Sequence, residues 1–158
     1  MNQELVLQLF DYQNGSLFWK NDSGKIRRGT KAGTPRTKGH IQIQYARKLY
    51  REHTLVWIMF HGSKPVGLID HINGIPSDNR IENLRIATNA QNLSNRGPTK
   101  SNTSGFKGVY LHNQTGRWVA SIKHLGTKYS LGCYATPEEA HEAYKHATLR
   151  LNGEFARF

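Results

Sequence analysis

The sequence predicts an α+β chain of two small modules: an N-terminal part that ends in a strand, loop, strand and helix, and a C-terminal three-stranded antiparallel sheet packed on one helix. Three observations carry this expectation. Short strand patterns alternate with short helical ones instead of forming one long series of either kind. The stretch 98–105, Pro-Thr-Lys-Ser-Asn-Thr-Ser-Gly, has almost no apolar content and reads as a linker between residues 1–97 and 106–158. Beyond it, three strand patterns joined by turns lead into Thr136-Pro137-Glu138-Glu139, where a cap, a first-turn proline and two acids announce a helix.

Taken in order, Glu4–Phe10 places Leu5 with Leu9 and Val6 with Phe10 at helical spacing, and the Asn14-Gly15 turn is expected to end that helix. Ser16–Lys20 reads as a strand, followed by a Gly/Lys/Arg-rich loop through Lys38. His40–Tyr45 alternates Ile41, Ile43 and Tyr45 with Gln42 and Gln44, which implies a strand with one buried face. Glu52–Phe60 is apolar around much of its circumference, so it is expected to be a buried helix closing at His61-Gly62 and carrying the N-terminal core. Leu68–His71 is a strand that runs to the Asn73-Gly74 turn, and a polar loop leads to Asn83 and a second strand, Leu84–Thr88. Thr88 then opens a helix reaching about Asn95, with Gln91 completing a capping box. In the C-terminal part the strands are Gly108–Leu111, Arg117–Lys123 and Lys128–Tyr134, and Ala140, Ala143, Tyr144, Ala147 and Leu151 form one stripe of the final helix.

Charge narrows the function. Among 158 residues, 22 are Lys or Arg and 11 are Asp or Glu, a formal charge of +11 that points to a polyanionic partner, nucleic acid first. Two tracts concentrate it. One runs from Lys20 to Arg51 and includes Lys25, Arg27, Arg28, Lys31, Arg36 and Lys38 against the single acid Asp22; the other runs from Arg96 to Lys128 with no acid. A membrane partner is not expected, because no apolar run approaches the ~20 residues that span a bilayer, and Met1–Phe10 holds Glu4 and no basic region of a signal peptide. Cys133 is the sole cysteine, so neither a disulfide framework nor a four-cysteine zinc staple is possible, and a reducing, cytoplasmic compartment is expected.

Between the tracts lies the chemistry. Asp70 and His71 sit adjacent at a strand end, with Asn83 and Asn92 following 12 and 21 residues after the histidine. Hydrolysis of a phosphodiester needs a base to deprotonate water, a divalent ion to stabilise charge on the phosphate and the leaving oxygen, and a group that orients the base. A histidine, with an ordinary pKa of ~6.5, suits the first role. One carboxylate and one amide oxygen suit a magnesium site better than a zinc site. Neighbouring strand residues point to opposite faces, so Asp70 and His71 share a site if the strand ends there and the backbone turns. Asn83 is placed to bond loop backbone and hold His71. His53 is read as hydrogen-bonded within the fold and His61 as marking a helix end; His112, His124, His141 and His146 lack metal-ligand spacing, though His112 could touch DNA.

The run Leu68-Ile-Asp-His-Ile-Asn-Gly-Ile-Pro-Ser-Asp-Asn-Arg-Ile-Glu-Asn-Leu-Arg, followed by Asn92, resembles the HNH motif of phage and intron-encoded homing endonucleases, whose catalytic unit is a ββα-metal fold. Leu17-Phe-Trp-Lys, His53-Thr-Leu-Val-Trp and His61-Gly resemble that family's N-terminal part. The resemblance implies His71 as general base, Asn83 as a structural residue, and Asp70 and Asn92 as ligands of Mg²⁺, with Mn²⁺ able to substitute. It also implies a phage protein acting on double-stranded DNA inside a host bacterial cell. One such unit attacks one strand at a time, so a monomer without any small-molecule cofactor is expected to nick. The segment from Ser104-Gly-Phe-Lys-Gly-Val-Tyr through Gly116-Arg-Trp-Val-Ala-Ser-Ile-Lys to Tyr129-Ser-Leu-Gly-Cys-Tyr resembles an APETALA2-type DNA-binding domain. Period-two alternation sends Trp118, Ala120 and Ile122 toward the helix, and Arg117, Val119, Ser121 and Lys123 outward with Lys128 and Ser130. Tyr110, Arg117, Ser121, Lys123 and Lys128 are therefore the expected DNA contacts there. The alternative is a non-catalytic DNA-binding regulator that retains the nuclease fold.

Overall fold

The computed structural model describes all 158 residues and divides into two compact units, Met1–Ala87 and Thr88–Phe158. The first begins with helix α1 (Gln3–Leu9), which Asn2 caps by accepting a hydrogen bond from Leu5 N at 3.1 Å. The chain then enters strand β1 (Phe10–Gln13), which pairs antiparallel with β2 (Ser16–Trp19). Asn14-Gly15 is thus the two-residue turn of a hairpin, both residues at positive φ, and not the end of the helix. Phe10 fits the helical period, but its burial (1% exposed) is met equally well at the start of a strand. A Cβ on Gly15 would lie 2.6 Å from Arg80 N, so only glycine lets this turn reach the loop that precedes Asn83.

Strands β3 (Thr34–Pro35), β4 (Ile41–Tyr45) and β5 (Lys48–Arg51) form a second antiparallel sheet in that order. Ile41 and Ile43 are buried and Gln44 is exposed, the one-sided strand that the alternation predicts. The sequence pattern gives no sign of β5: the chain returns through Ala46 and Arg47, both with φ positive, a turn without the usual glycine or asparagine signal. Helix α2 (Glu52–His61) buries Leu55, Val56 and Ile58 against Val6, Phe10, Leu17, Trp19, Ile43 and Leu84. Its burial is incomplete, since Phe60 is 48% exposed, and its first turn buries the polar pair Glu52 and His53. β6 (Leu68–His71) and β7 (Leu84–Ala87) close the unit as an antiparallel ribbon with His71 opposite Leu84.

The second unit opens with helix α3 (Asn89–Ser94). Gln91 N donates to Thr88 Oγ1 and Thr88 N to Gln91 Oε1, the predicted capping box. The segment 98–105, expected as a linker, lies within this unit and is held by local bonds such as Ser104 Oγ to Val109 O at 2.8 Å. Strands β8 (Val109–His112), β9 (Arg117–His124) and β10 (Thr127–Tyr134) make an antiparallel sheet with β9 central, and helix α4 (Pro137–Asn152) covers one face. Thr136 and Glu139 form its capping box, and Ala140, Tyr144 and Ala147 are buried along the expected stripe. Gly108 permits the close approach, because a Cβ there would stand 2.2 Å from the Tyr144 ring. Trp118 packs in the core with Val109, Ala120 and Ala140. Val119 was expected outward and is nonetheless buried: on the central strand it is flanked by Tyr110 on β8 and Cys133 on β10. No helix is long and apolar enough to cross a membrane.

Candidate active site

Asp70 and His71 are the last two residues of β6, the strand end that the sequence predicts, and both are buried. Both residues pair with β7, Asp70 with Arg85 and His71 with Leu84, so the alternation of the pleat runs through the end of the strand. Asp70 stands opposite Arg85 in the ribbon, and its Oδ2 accepts from Arg85 Nε at 2.9 Å and lies 2.9 Å from Nη2. This is a charge-assisted forked contact made through one carboxylate oxygen.

His71 is oriented from the other side. Its Nε2 lies 2.9 Å from Asn79 Oδ1, and Asn79, 1% exposed, donates from Nδ2 to Glu52 Oε2 at 2.8 Å. Glu52 Oε1 accepts from Leu17 N at 2.9 Å. Both carboxylate oxygens face donors, which fits the ionised form, an acceptor only. The Asn79 amide must then turn its nitrogen to Glu52 and its oxygen to His71, so His71 carries its proton on Nε2 and its basic lone pair at Nδ1. Burial pushes the Glu52 carboxyl above its ordinary pKa, opposed by the hydrogen bonds from Leu17 and Asn79.

Asn83 fixes the loop between the strands. Its Oδ1 accepts from Asn73 N at 3.0 Å, and its Nδ2 donates to Asn73 Oδ1 at 3.0 Å and Asp78 O at 2.7 Å. Arg80 forks onto Asp78 at 2.8–2.9 Å, and this guanidinium, with the Asn73 amide, holds the Asp78 carboxyl well below the usual carboxylate range. The loop that delivers Asn79 is therefore tied at both ends.

Two further histidines meet His71. The ring centroids of His40 and His53 lie 5.8 and 5.2 Å from that of His71 and 5.4 Å from each other. Burial drives the His53 pKa down to about 3, assisted by the neighbouring imidazoles and Arg51, and lowers that of His40 as well. Each imidazole offers a nitrogen within 4.8 Å of the others, an arrangement that could hold a metal ion.

Asp70, His71 and Asn83 thus share the first unit, whereas Asn92 lies on α3 in the second. Lys25, Arg27, Arg28, Lys31, Arg36 and Lys38 belong to the first unit, and all six are exposed. On the face of the C-terminal sheet away from α4, Lys123 stands directly opposite Lys128 and Ser121 opposite Ser130, and Lys128 Nζ lies 5.2 Å from the Tyr110 ring. Arg117, at the end of β9, is exposed. The sequence alone does not single out Glu52, Asn79 or His40, and in it His53 reads as a structural residue of the fold, not as part of the site. The one available signal was a Glu-His pair opening an otherwise apolar helix.

A family model described as HNH endonuclease matches residues 50–94, a span that includes Glu52, His53, Asp70, His71, Asn79, Asn83 and Asn92. The chain carries an HNH endonuclease domain. It is 35% identical to Protein 3.8 of Escherichia phage T7 over 113 residues, 70% of this chain and 92% of that one, and it belongs to the same family. It is also 29% identical over 127 residues to the uncharacterized HNH endonuclease L560 of Acanthamoeba polyphaga mimivirus, 80% of this chain and 62% of that protein. The AP2-like ethylene-responsive transcription factor TOE2 of Arabidopsis thaliana is 37% identical over 60 residues, 38% of this chain but only 12% of the factor. No solved structure matches the chain.

Proposed function

We propose that this chain is a metal-dependent endonuclease of the homing or free-standing mobile type that hydrolyses double-stranded DNA, nicking one strand, with His71 as general base. The observation that carries the proposal is the buried series Leu17 N–H, Glu52, Asn79, His71, which sets the ring proton on Nε2 and directs basicity to Nδ1. Nδ1 takes the proton from the attacking water, and Asn79 Oδ1 steadies the imidazolium that results. Asn83 serves by holding the 73–78 loop, and through it the approach of Asn79.

Asp70 is an oxygen donor of the kind magnesium and manganese accept, oriented by Arg85 through Oδ2. A divalent ion held by Asp70 would stabilise charge on the phosphate and leaving oxygen. Asn92 is kept as the other ligand on the family resemblance alone. Specificity and grip come from the basic surfaces. Lys123 and Lys128 are like charges set directly opposite, a pairing unfavourable by itself and suited to an anionic partner. Arg117, Tyr110 and Ser121 extend the same basic surface for phosphate and groove contacts, and the partial likeness to plant APETALA2 factors supports an APETALA2-type role for it. The cations from Lys25 to Lys38 serve phosphate in the same way. The phage relative supports action in the host cell, and a single His71 centre per chain fits a monomer that nicks.

Incubation with supercoiled plasmid carrying a cognate site tests this. Nicked circles are expected with Mg²⁺ or Mn²⁺ and none with excess EDTA; equal cleavage in EDTA, or none in any metal, would overturn it.

A further inference from the structure

His40 precedes β4, His53 lies in the first turn of α2 and His71 ends β6, so three separate elements deliver three imidazoles to one point. All three pairs of rings approach within 5.2–5.8 Å, and only His71 has a role in the hydrolysis proposed above. We infer that His40, His53 and His71 form a site for a borderline divalent cation of the zinc class, and that its occupancy withholds His71 from water.

Donor chemistry comes first. Three nitrogen donors suit zinc, cobalt, nickel or copper and are poor ligands for magnesium, so this site and the carboxylate of Asp70 select different metals. Zinc takes nitrogen at about 2.0–2.1 Å, and three protein ligands with a fourth position left for water is a common arrangement. The nitrogens lie within 4.8 Å of one another, so binding would draw them closer to reach zinc-ligand spacing.

Two independent features point the same way. His40 Nδ1 is buried with no hydrogen-bond partner, a polar atom whose burial is costly unless a ligand engages it. The ring of His71 is also anchored as ligating histidines are: its Nε2–H donates to Asn79, which leans on the Glu52 carboxylate, while Nδ1 holds the lone pair. A cation bound at Nδ1 occupies the atom that must accept the proton. Zinc-class ions would therefore inhibit a reaction that magnesium supports. This inhibitory half rests on His71 being the base; the binding half does not.

The test uses the full chain. Titration with Zn²⁺ by calorimetry, and with Co²⁺ by its visible absorption, is expected to show one ion per chain in a nitrogen-rich, four-coordinate environment. His40→Gln and His53→Gln are each expected to weaken binding by about 100-fold, whereas Asp70→Asn should retain it. Melting curves establish that each variant is folded; if His53→Gln is not, the less buried His40→Gln decides. A wild-type chain that binds no Zn²⁺ in the micromolar range, or a folded His40→Gln that binds as tightly as wild type, overturns the site. The ratio of cleavage rates with and without Zn²⁺, at fixed Mg²⁺, should collapse for wild type and stay near one for His40→Gln. Equal inhibition of both would overturn the inhibitory half. If Mg²⁺ supports no cleavage at all, the nuclease reading fails while the titrations still decide the metal site.

Discussion

Glu52→Gln should slow the nuclease without disturbing its fold. Glu52 uses both oxygens as acceptors, one for Leu17 N–H and one for Asn79 Nδ2–H. Glutamine has one oxygen, and the backbone N–H cannot turn. With that oxygen kept on Leu17, the new amide nitrogen faces Asn79, which must flip; its own nitrogen then faces His71, whose Nε2 becomes an acceptor and whose proton moves to Nδ1. The reactive tautomer is regained only by turning the introduced amide nitrogen toward Leu17 N–H, leaving a buried donor unpaired at about 1–3 kcal/mol. The rate of cleavage should therefore fall by about 5- to 150-fold. Stability should change little, because the variant also removes the charge whose burial raises the Glu52 pKa. Single-turnover cleavage, DNA affinity and ¹⁵N NMR of His71 give the readouts. A folded variant that cuts at the wild-type rate, or one in which His71 keeps its proton on Nε2, would refute the reasoning.

Asn83→Ala removes three hydrogen bonds that tie the 73–78 loop and should lower stability by about 1–3 kcal/mol in urea unfolding, with a loss of cleavage larger than the loss of DNA affinity. Lys123→Ala should weaken DNA binding about equally across sequences and reduce the slope of log K against log salt by about 1, measured by fluorescence anisotropy; an unchanged slope would remove Lys123 from the interface. Lys107 donates to Ser94 O and Arg157 O, and burial pushes its pKa down to about 8. The unfolded chain then holds a proton that the folded one releases, so this residue's contribution to stability should rise with pH from about 8 and level off near the ordinary lysine value. A Lys107→Met variant should lack that component of the pH dependence of melting.

What the sequence disclosed is local. The Asp70-His71 pair, the Asn83 loop, the Thr88 and Thr136 capping boxes and the C-terminal sheet all depend on residues close together in the chain. What it concealed is long-range: Leu17 to Glu52 and Glu52 to Asn79 join positions 35 and 27 residues apart, and no periodicity announces a buried polar bond between elements. Asn79 reads as one more turn residue in a polar loop until it is found 1% exposed. His40 and His53 each look ordinary beside a strand and on a helix, and only the packing of β4, α2 and β6 brings their rings to His71. The hairpin of β1 and β2 was hidden for another reason, since Phe10 satisfies a helical period and a strand equally well.

Paired measurement of DNA affinity and Mg²⁺-supported plasmid nicking for wild type and His71→Ala tests the central claim most directly. Wild type should convert supercoiled plasmid to nicked circles, while the variant binds the same DNA with nearly the same affinity and leaves it supercoiled. Cleavage by the variant at the wild-type rate, or an inert wild-type chain on its cognate DNA, would contradict the assignment of His71 as the base.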